Sequence, residues 1–315
     1  MSIIERVADL LGPNFETQRK PSSGANDDAE PGDIGLSVIE RTSTSKNPSE
    51  FPRNYAAEPE IPDRPARPAR ITAKTLHLDL ERLRKMNMIT PDVGRSPIGE
   101  SFRRVKRHVF ANVANAEPGV ATNLIMVTSP MAHEGKTFCA VNFAISMAME
   151  MDRTVLLVDA DVAKPSVPGV LGFKADAGLM DVLHDRGIDL ADVLCKTNIE
   201  KLTILPAGKG RHHATEMLGS DMMRALLQEM AERYSDRIII FDSPPLLAAS
   251  EASVLAGHMG QIVMVVEAGK TTETALKEAL SRIESCRNVG LLLNKVDGPR
   301  MGYGGYGGYG YGYGE

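Results

Sequence analysis

The octapeptide Pro130-Met131-Ala132-His133-Glu134-Gly135-Lys136-Thr137 ends in Gly-Lys-Thr, directly after the apolar run NLIMVTS (123–129) and before the helix-forming run FCAVNFAISMAMEM (138–151). A turn between a strand and a helix aims backbone N–H groups and the positive end of the helix at one point, which is how phosphates are held. There Lys136 would reach the β- and γ-phosphate oxygens of a nucleotide, and the Thr137 hydroxyl would ligate Mg²⁺. Pro130 stands where the pattern G-x-x-x-x-G-K-[ST] has its first glycine. A bare Gly-Lys-Thr is cheap; its place between strand and helix makes it specific.

Two other runs carry carboxylates. In VLLVDADVAKP, Asp159 and Asp161 leave a strand two residues apart and so on one side of it, where they can orient water around Mg²⁺ or accept a proton. Capping of the next turn would explain one of them but not both. In IIIFDSPP, Asp242 ends an apolar strand, as the second metal carboxylate of phosphate-loop enzymes does. Three features at three strand ends point jointly to an ATP–Mg²⁺ site.

Such a site needs a frame that brings those ends together. Six short apolar runs (123–129, 154–161, 201–208, 237–243, 261–269 and 289–296) read as strands, and 138–151, 214–234 and 271–286 read as helices between them. The fold class is therefore α/β, a mostly parallel sheet with helices on both faces, whose ligands lie beyond the carboxyl ends of the strands. Residues 1–95 read as an amphipathic N-terminal helix followed by a Pro/Ser-rich disordered linker, within which TLHLDLERLRKMNMI has helical spacing. Residues 96–299 form the catalytic domain, opening on a helix that starts at Ser96 or Pro97 and shows a basic face of Arg103, Arg104, Lys106 and Arg107. Residues 300–315 are a flexible Gly/Tyr tail.

Together, VTSPMAHEGKT, LLVDADVAKP, IIIFDSPP and the tyrosine cluster resemble the bacterial protein-tyrosine kinases, phosphate-loop enzymes of the positioning-ATPase type associated with exopolysaccharide. DADVAKP, LPAG, ATEML and the Gly-Tyr tail look most like the exosortase-associated autokinase branch. The resemblance implies that Lys136 and Thr137 bind phosphates and Mg²⁺, and that Asp159, Asp161 and Asp242 arrange the metal and activate the attacking phenol. It implies that Glu100, Phe102, Arg103 and Arg104 lie in an oligomerisation helix that sets subunits in a ring. It also implies a membrane-embedded polysaccharide chain-length or export regulator as activator, and a tyrosine phosphatase. Two departures stand out. The family loop reads P-G-E-G-K, so His133 occupies a glycine position and must adopt a backbone conformation that glycine takes more easily. Ala163 replaces an arginine common in relatives.

The tail explains where the tyrosines are used. Tyr303, Tyr306, Tyr309, Tyr311 and Tyr313 are five of seven in the chain, separated only by glycine, and cannot build a core. A phenol with a pKa near 10 needs a carboxylate to take its proton; either Asp159 or Asp161 would serve. As a coil the tail spans roughly 20 Å and reaches about 50 Å at most, enough to enter a neighbouring subunit. A net charge of −5 argues against nucleic-acid binding, and three scattered cysteines suggest a reducing compartment. No run approaches the ~18 apolar residues of a membrane span, so a cytoplasmic protein recruited to the membrane by a partner is expected.

Competing readings are a positioning-type ATPase switch, whose loop carries a second lysine where Met131 stands here, and a nucleotide-binding scaffold without transfer activity. Asn294-Lys295-Val296-Asp297 matches the N-K-x-D of GTPases, but Asp242-Ser243-Pro244-Pro245 lacks their D-x-x-G. Asn294 is expected on the adenine side, and Asp297 as a turn residue. His212-His213 lack a third ligand nearby in sequence, so no metal is expected there.

Overall fold

A computed structural model describes residues 15–17, 39–41, 75–92, 96–115, 119–150, 153–185, 187–210, 214–233 and 237–296. The tyrosine tail, Asp297, His212-His213 and most of the expected linker lie outside the described residues. Within the linker segment, Phe15–Thr17 and Ile39–Arg41 pair antiparallel.

Eight strands form one sheet: β1 (Thr75–Leu76), β2 (Leu124–Thr128), β3 (Thr154–Asp159), β4 (Cys195–Thr197), β5 (Leu202–Leu205), β6 (Arg237–Asp242), β7 (Gln261–Glu267) and β8 (Val289–Asn294). Their order is β8-β7-β2-β6-β3-β5-β4-β1. All neighbours run parallel except β4 and β5. The six strands read from the sequence are the six that run one way; the two added at the edge, β4 and β1, are too short to show a pattern.

Alternation along the central strands divides the core. Ile125, Val127, Val155, Leu157, Ile238 and Ile240 face the layer holding α2 (Pro97–Ala114) and α3 (Lys136–Ala148). Leu124, Met126, Leu156, Val158, Ile239 and Phe241 face the layer that includes Leu218, Met223, Leu226, Leu227 and Met230. Both faces are covered, so these strands are apolar throughout rather than alternating.

The ordered domain begins well before Ser96. Asp79 caps α1 (Leu80–Lys85), its carboxylate accepting from Arg82 N–H at 3.0 Å, so the helical spacing read from Leu76 starts only there. Leu76 instead lies in β1. Leu76, Leu78, Leu83, Met88 and Ile89 are buried in the α3 layer. The Asn198 side chain accepts from Leu78 N–H at 2.8 Å and donates to Leu78 O at 3.1 Å, imitating a strand ladder. The helix expected over 214–234 is broken after Leu218 and resumes at Asp221, because the Ser220 hydroxyl accepts from Met223 N–H at 3.2 Å and starts a new helix.

In α2, Ser96 caps and Pro97 takes the first helical position. Glu100 and Arg104 are exposed, and Arg103 bonds Glu100 at 2.5 Å. Phe102 is 5% exposed and packs into the core, so it is not on the surface the resemblance assigned it to. Lys106, read as part of a basic face, is buried: its ammonium donates to Ser146 O at 3.2 Å and pairs with Glu150. Its long aliphatic stem lets it cross the helix interface to reach those partners.

Candidate active site

The three motifs meet at the carboxyl ends of β2, β3 and β6. Because β3 and β6 are adjacent and in register, Asp159 lies opposite Asp242, and Val127 of β2 lies on the other side of Asp242. Strand parity puts both carboxylates on the face covered by α3, whose first residues are Lys136 and Thr137. Asp161 follows two residues on, and its Oδ2 accepts from Lys136 Nζ at 2.7 Å. Lys136, Thr137, Asp159, Asp161 and Asp242, picked from three separate stretches, are thus brought to one place.

The carboxylates are buried against their chemistry. Asp242 is fully buried, and neither oxygen has a hydrogen-bond partner among the described residues. Burial pushes its carboxyl up to about 6; the Lys136 charge and the nearby Thr137 hydroxyl, which makes no well-formed hydrogen bond to it, pull the other way. Burial, reinforced by the charge of Asp242, pushes Asp159 up to about 8. Asp159 Oδ2 accepts from Val167 N–H at 3.1 Å, while its Oδ1 has no partner. Asp161 Oδ1 accepts from Lys164 N–H at 3.2 Å.

The loop is built for an anion and braced from beneath. Gly135, at φ 96°, immediately precedes α3, and no side chain caps that helix end, leaving its N–H groups for a ligand. A Cβ at Gly135 would collide with Asn294 Nδ2, so the glycine is required on two counts. His133 has φ 69°, the left-handed backbone expected of it. Met131, Ala132 and His133 form the exposed crest, and Pro130 is buried, its carbonyl accepting from Leu247 N–H at 3.2 Å.

Glu134 is expected among the nucleotide-binding loop residues, and its side chain serves the loop itself: the buried carboxylate accepts from Met131 N–H at 2.8 Å and from the Thr271 hydroxyl, with burial raising its pKa. Asn294, expected on the adenine side, has its amide engaged by the loop, donating to Glu134 O at 2.9 Å. Thr271 and Lys295 were missed as loop partners: they follow β7 and β8, more than a hundred residues away, and nothing local marks them.

Residues 124–292, more than half of the chain, match the AAA domain family. The chain belongs to this family. Tyrosine-protein kinase YwqD of Bacillus subtilis (strain 168) is 29% identical to this AAA-domain chain over 211 residues, 66% of the chain and 85% of YwqD. The succinoglycan biosynthesis transport protein ExoP of Rhizobium meliloti (strain 1021) is 28% identical over 229 residues, 71% of the chain but 28% of ExoP. Among solved structures, the VpsO kinase domain matches at 27% identity with a TM-score of 0.51, covering 63% of this chain and 98% of that one. The chain thus spans under a third of the longer curated relatives it matches. The resemblance to bacterial protein-tyrosine kinases expected from the motifs is borne out, and so is the mostly parallel α/β class. The name of YwqD carries tyrosine-protein kinase activity, and that of ExoP carries succinoglycan biosynthesis and transport.

Proposed function

We propose that this chain is an ATP- and Mg²⁺-dependent protein-tyrosine kinase whose substrates include its own Tyr303, Tyr306, Tyr309, Tyr311 and Tyr313. The observation that carries the reading is the pairing of Lys136 with Asp161 beside two buried carboxylates, Asp242 with neither oxygen partnered and Asp159 with only one, at the uncapped start of α3. A fully buried acid with both oxygens unsatisfied is costly unless something positive arrives to meet it.

Asp242 and the Thr137 hydroxyl offer hard oxygen donors of the kind Mg²⁺ takes. Among the described residues no group of three His, Cys, Asp or Glu side chains could hold a metal alone. Mg²⁺ does not require one, since it is bound through one or two carboxylates together with phosphates and water. When bound, the ion would neutralise charge building on the transferring phosphoryl group.

The chain's own groups do the rest. The N–H groups of the loop and of α3 hold the phosphates, and Lys136 exchanges Asp161 for phosphate oxygens. The phenol oxygen of a tyrosine attacks the γ-phosphorus as its proton passes to Asp159 or Asp161. The bond to the bridging oxygen breaks and ADP leaves. Asp159, raised to about 8 without nucleotide, must first lose its own proton to serve as acceptor, which a cation bound beside it would favour.

Transfer in trans within a ring-like homo-oligomer follows from the tethered tail, which places phenols near a neighbouring site at about millimolar effective concentration. The exposed residues Glu100 and Arg104 of α2, with the half-buried Arg103, are the proposed contact, without Phe102. No helix among the described residues is long and apolar enough to cross a membrane. A membrane-embedded polysaccharide chain-length or export regulator as activator, a tyrosine phosphatase as antagonist, and recruitment to the inner face of the membrane belong to the same proposal.

The test is intact-mass spectrometry after incubation with Mg²⁺–ATP, beside a Lys136→Met control. Additions of about 80 Da per phosphate that map to the tail and vanish in the control are expected. ATP binding without any addition, even with the regulator's cytoplasmic segment present, would favour the ATPase-switch or scaffold reading.

A further inference from the structure

Four residues other than glycine have left-handed backbone among those described, and two of them, His133 (φ 69°) and Lys295 (φ 55°), are bonded to each other. A side chain makes this conformation unfavourable, so each persists only where its surroundings impose it. Lys295 Nζ donates to His133 O at 2.6 Å and to Glu267 Oε2 at 3.1 Å. Glu267 N–H donates to Thr271 Oγ1 at 2.9 Å, and that hydroxyl donates in turn to the Glu134 carboxylate. The circuit runs from one loop residue through the ends of β8 and β7 to the next loop residue.

Two consecutive peptide planes are held this way. The peptide between His133 and Glu134 is fixed by Lys295 through His133 O. The peptide between Glu134 and Gly135 is fixed by Asn294 through Glu134 O. A trans peptide is planar, so fixing each carbonyl also fixes the N–H on its opposite side. Those N–H groups belong to Glu134 and Gly135, in the segment that leads into the anion-facing start of α3.

We infer that Lys295 is a positioning residue that holds His133 in its left-handed conformation and so sets the backbone of the phosphate loop. The inference rests on the ATP-binding reading and adds a residue that its motifs do not contain. Lys295 touches neither phosphate nor metal in this account; it acts through the His133 carbonyl. The side chain at position 133 is what makes the latch necessary, because glycine would reach the same conformation without steric cost.

The experiment compares the full chain with Lys295→Met, Lys295→Arg, His133→Gly and the Lys295→Met/His133→Gly double variant. Two quantities are read: affinity for a fluorescent ATP analogue with Mg²⁺, and amide hydrogen exchange over 130–137 without nucleotide. Lys295→Met is expected to weaken binding about tenfold, the size of a lost charge-assisted hydrogen bond, and to speed exchange of the loop. Lys295→Arg, which keeps a donor, should exchange more slowly than Lys295→Met. In the His133→Gly background the loss caused by Lys295→Met should shrink to about twofold or less. Unchanged binding and exchange in Lys295→Met would overturn the inference. So would an equal loss in both backgrounds, since Lys295 would then act on the nucleotide directly. If the unaltered chain fails to bind the analogue, the ATP reading falls, while the exchange measurement still decides whether the latch exists.

Discussion

The ammonium of Lys136 lies 2.7 Å from a carboxylate oxygen of Asp161, with both side chains largely buried. The lysine is therefore stored on an internal partner that phosphate oxygens must displace. Removing Lys136 leaves Asp161 without that partner and the phosphates without their cation. Lys136→Met should lower phosphoryl transfer at least a hundredfold, the scale of a lost transition-state donor. Asp161→Asn, by contrast, should bind ATP no more weakly than the unaltered chain while still losing transfer. Equal loss of binding in both variants would contradict this role for the pair.

Proton binding by the carboxylates sets a pH dependence. Asp159 is pushed up to about 8 and Asp242 up to about 6, above the usual carboxylate value near 4. Between those values the folded protein without nucleotide holds more protons than the unfolded chain, so its stability falls as pH rises from about 4 through 8. Asp159→Asn and Asp242→Asn should each raise the melting temperature at pH 8 and flatten the decline. The gain should be several degrees, at roughly 2–4 °C per kcal/mol for a chain of this size. A melting temperature that climbs from pH 6 to pH 8 in the unaltered protein would refute this.

Gly135 is enclosed by Asn294 as well as held in left-handed backbone. Gly135→Ala should therefore abolish nucleotide binding measured by titration calorimetry. Adding Asn294→Ala should relieve the collision but not the backbone strain, restoring only part of the affinity. Full restoration would show that backbone conformation contributes little here.

Along α2, Phe102 and Arg104 should separate stability from assembly. Phe102→Ala empties a buried site and should cost about 3–5 kcal/mol in denaturant unfolding. Arg104→Ala should change stability by less than about 0.5 kcal/mol yet shift the oligomer seen by analytical ultracentrifugation. An unchanged oligomer would remove Arg104 from the proposed contact.

Transfer in trans can be read by mixing. Isotopically heavy Lys136→Met protein, incubated with light unaltered chain and Mg²⁺–ATP, should gain phosphate on its tail. Replacing all five tail tyrosines with phenylalanine should remove those additions and leave ATP binding intact. Phosphate confined to the light chain would mean that each subunit phosphorylates only itself.

Local chemistry written within a few residues was legible in the sequence. Gly135-Lys136-Thr137 between apolar runs, Asp159 and Asp161 at a strand exit, and Asp242 after Ile238–Phe241 mark strand ends wherever they occur. The short apolar runs beside them therefore announced the fold class, and the motifs themselves named the candidate site. The His133 backbone was readable too, because its neighbours fix the loop and histidine stands in a glycine's place. Tertiary structure alone decided which groups serve the loop from afar. Thr271 and Lys295 reach Glu134 and His133 only because β7 lies beside β2 in the sheet and β8 lies beside β7. It likewise turned Phe102 and Lys106 inward from a helix whose charges suggested a solvent face, since α2 lies against α3 and that contact selects what is buried. Periodicity along a chain records each element's own geometry; the partner across a contact is set by how the elements pack, which no local pattern contains.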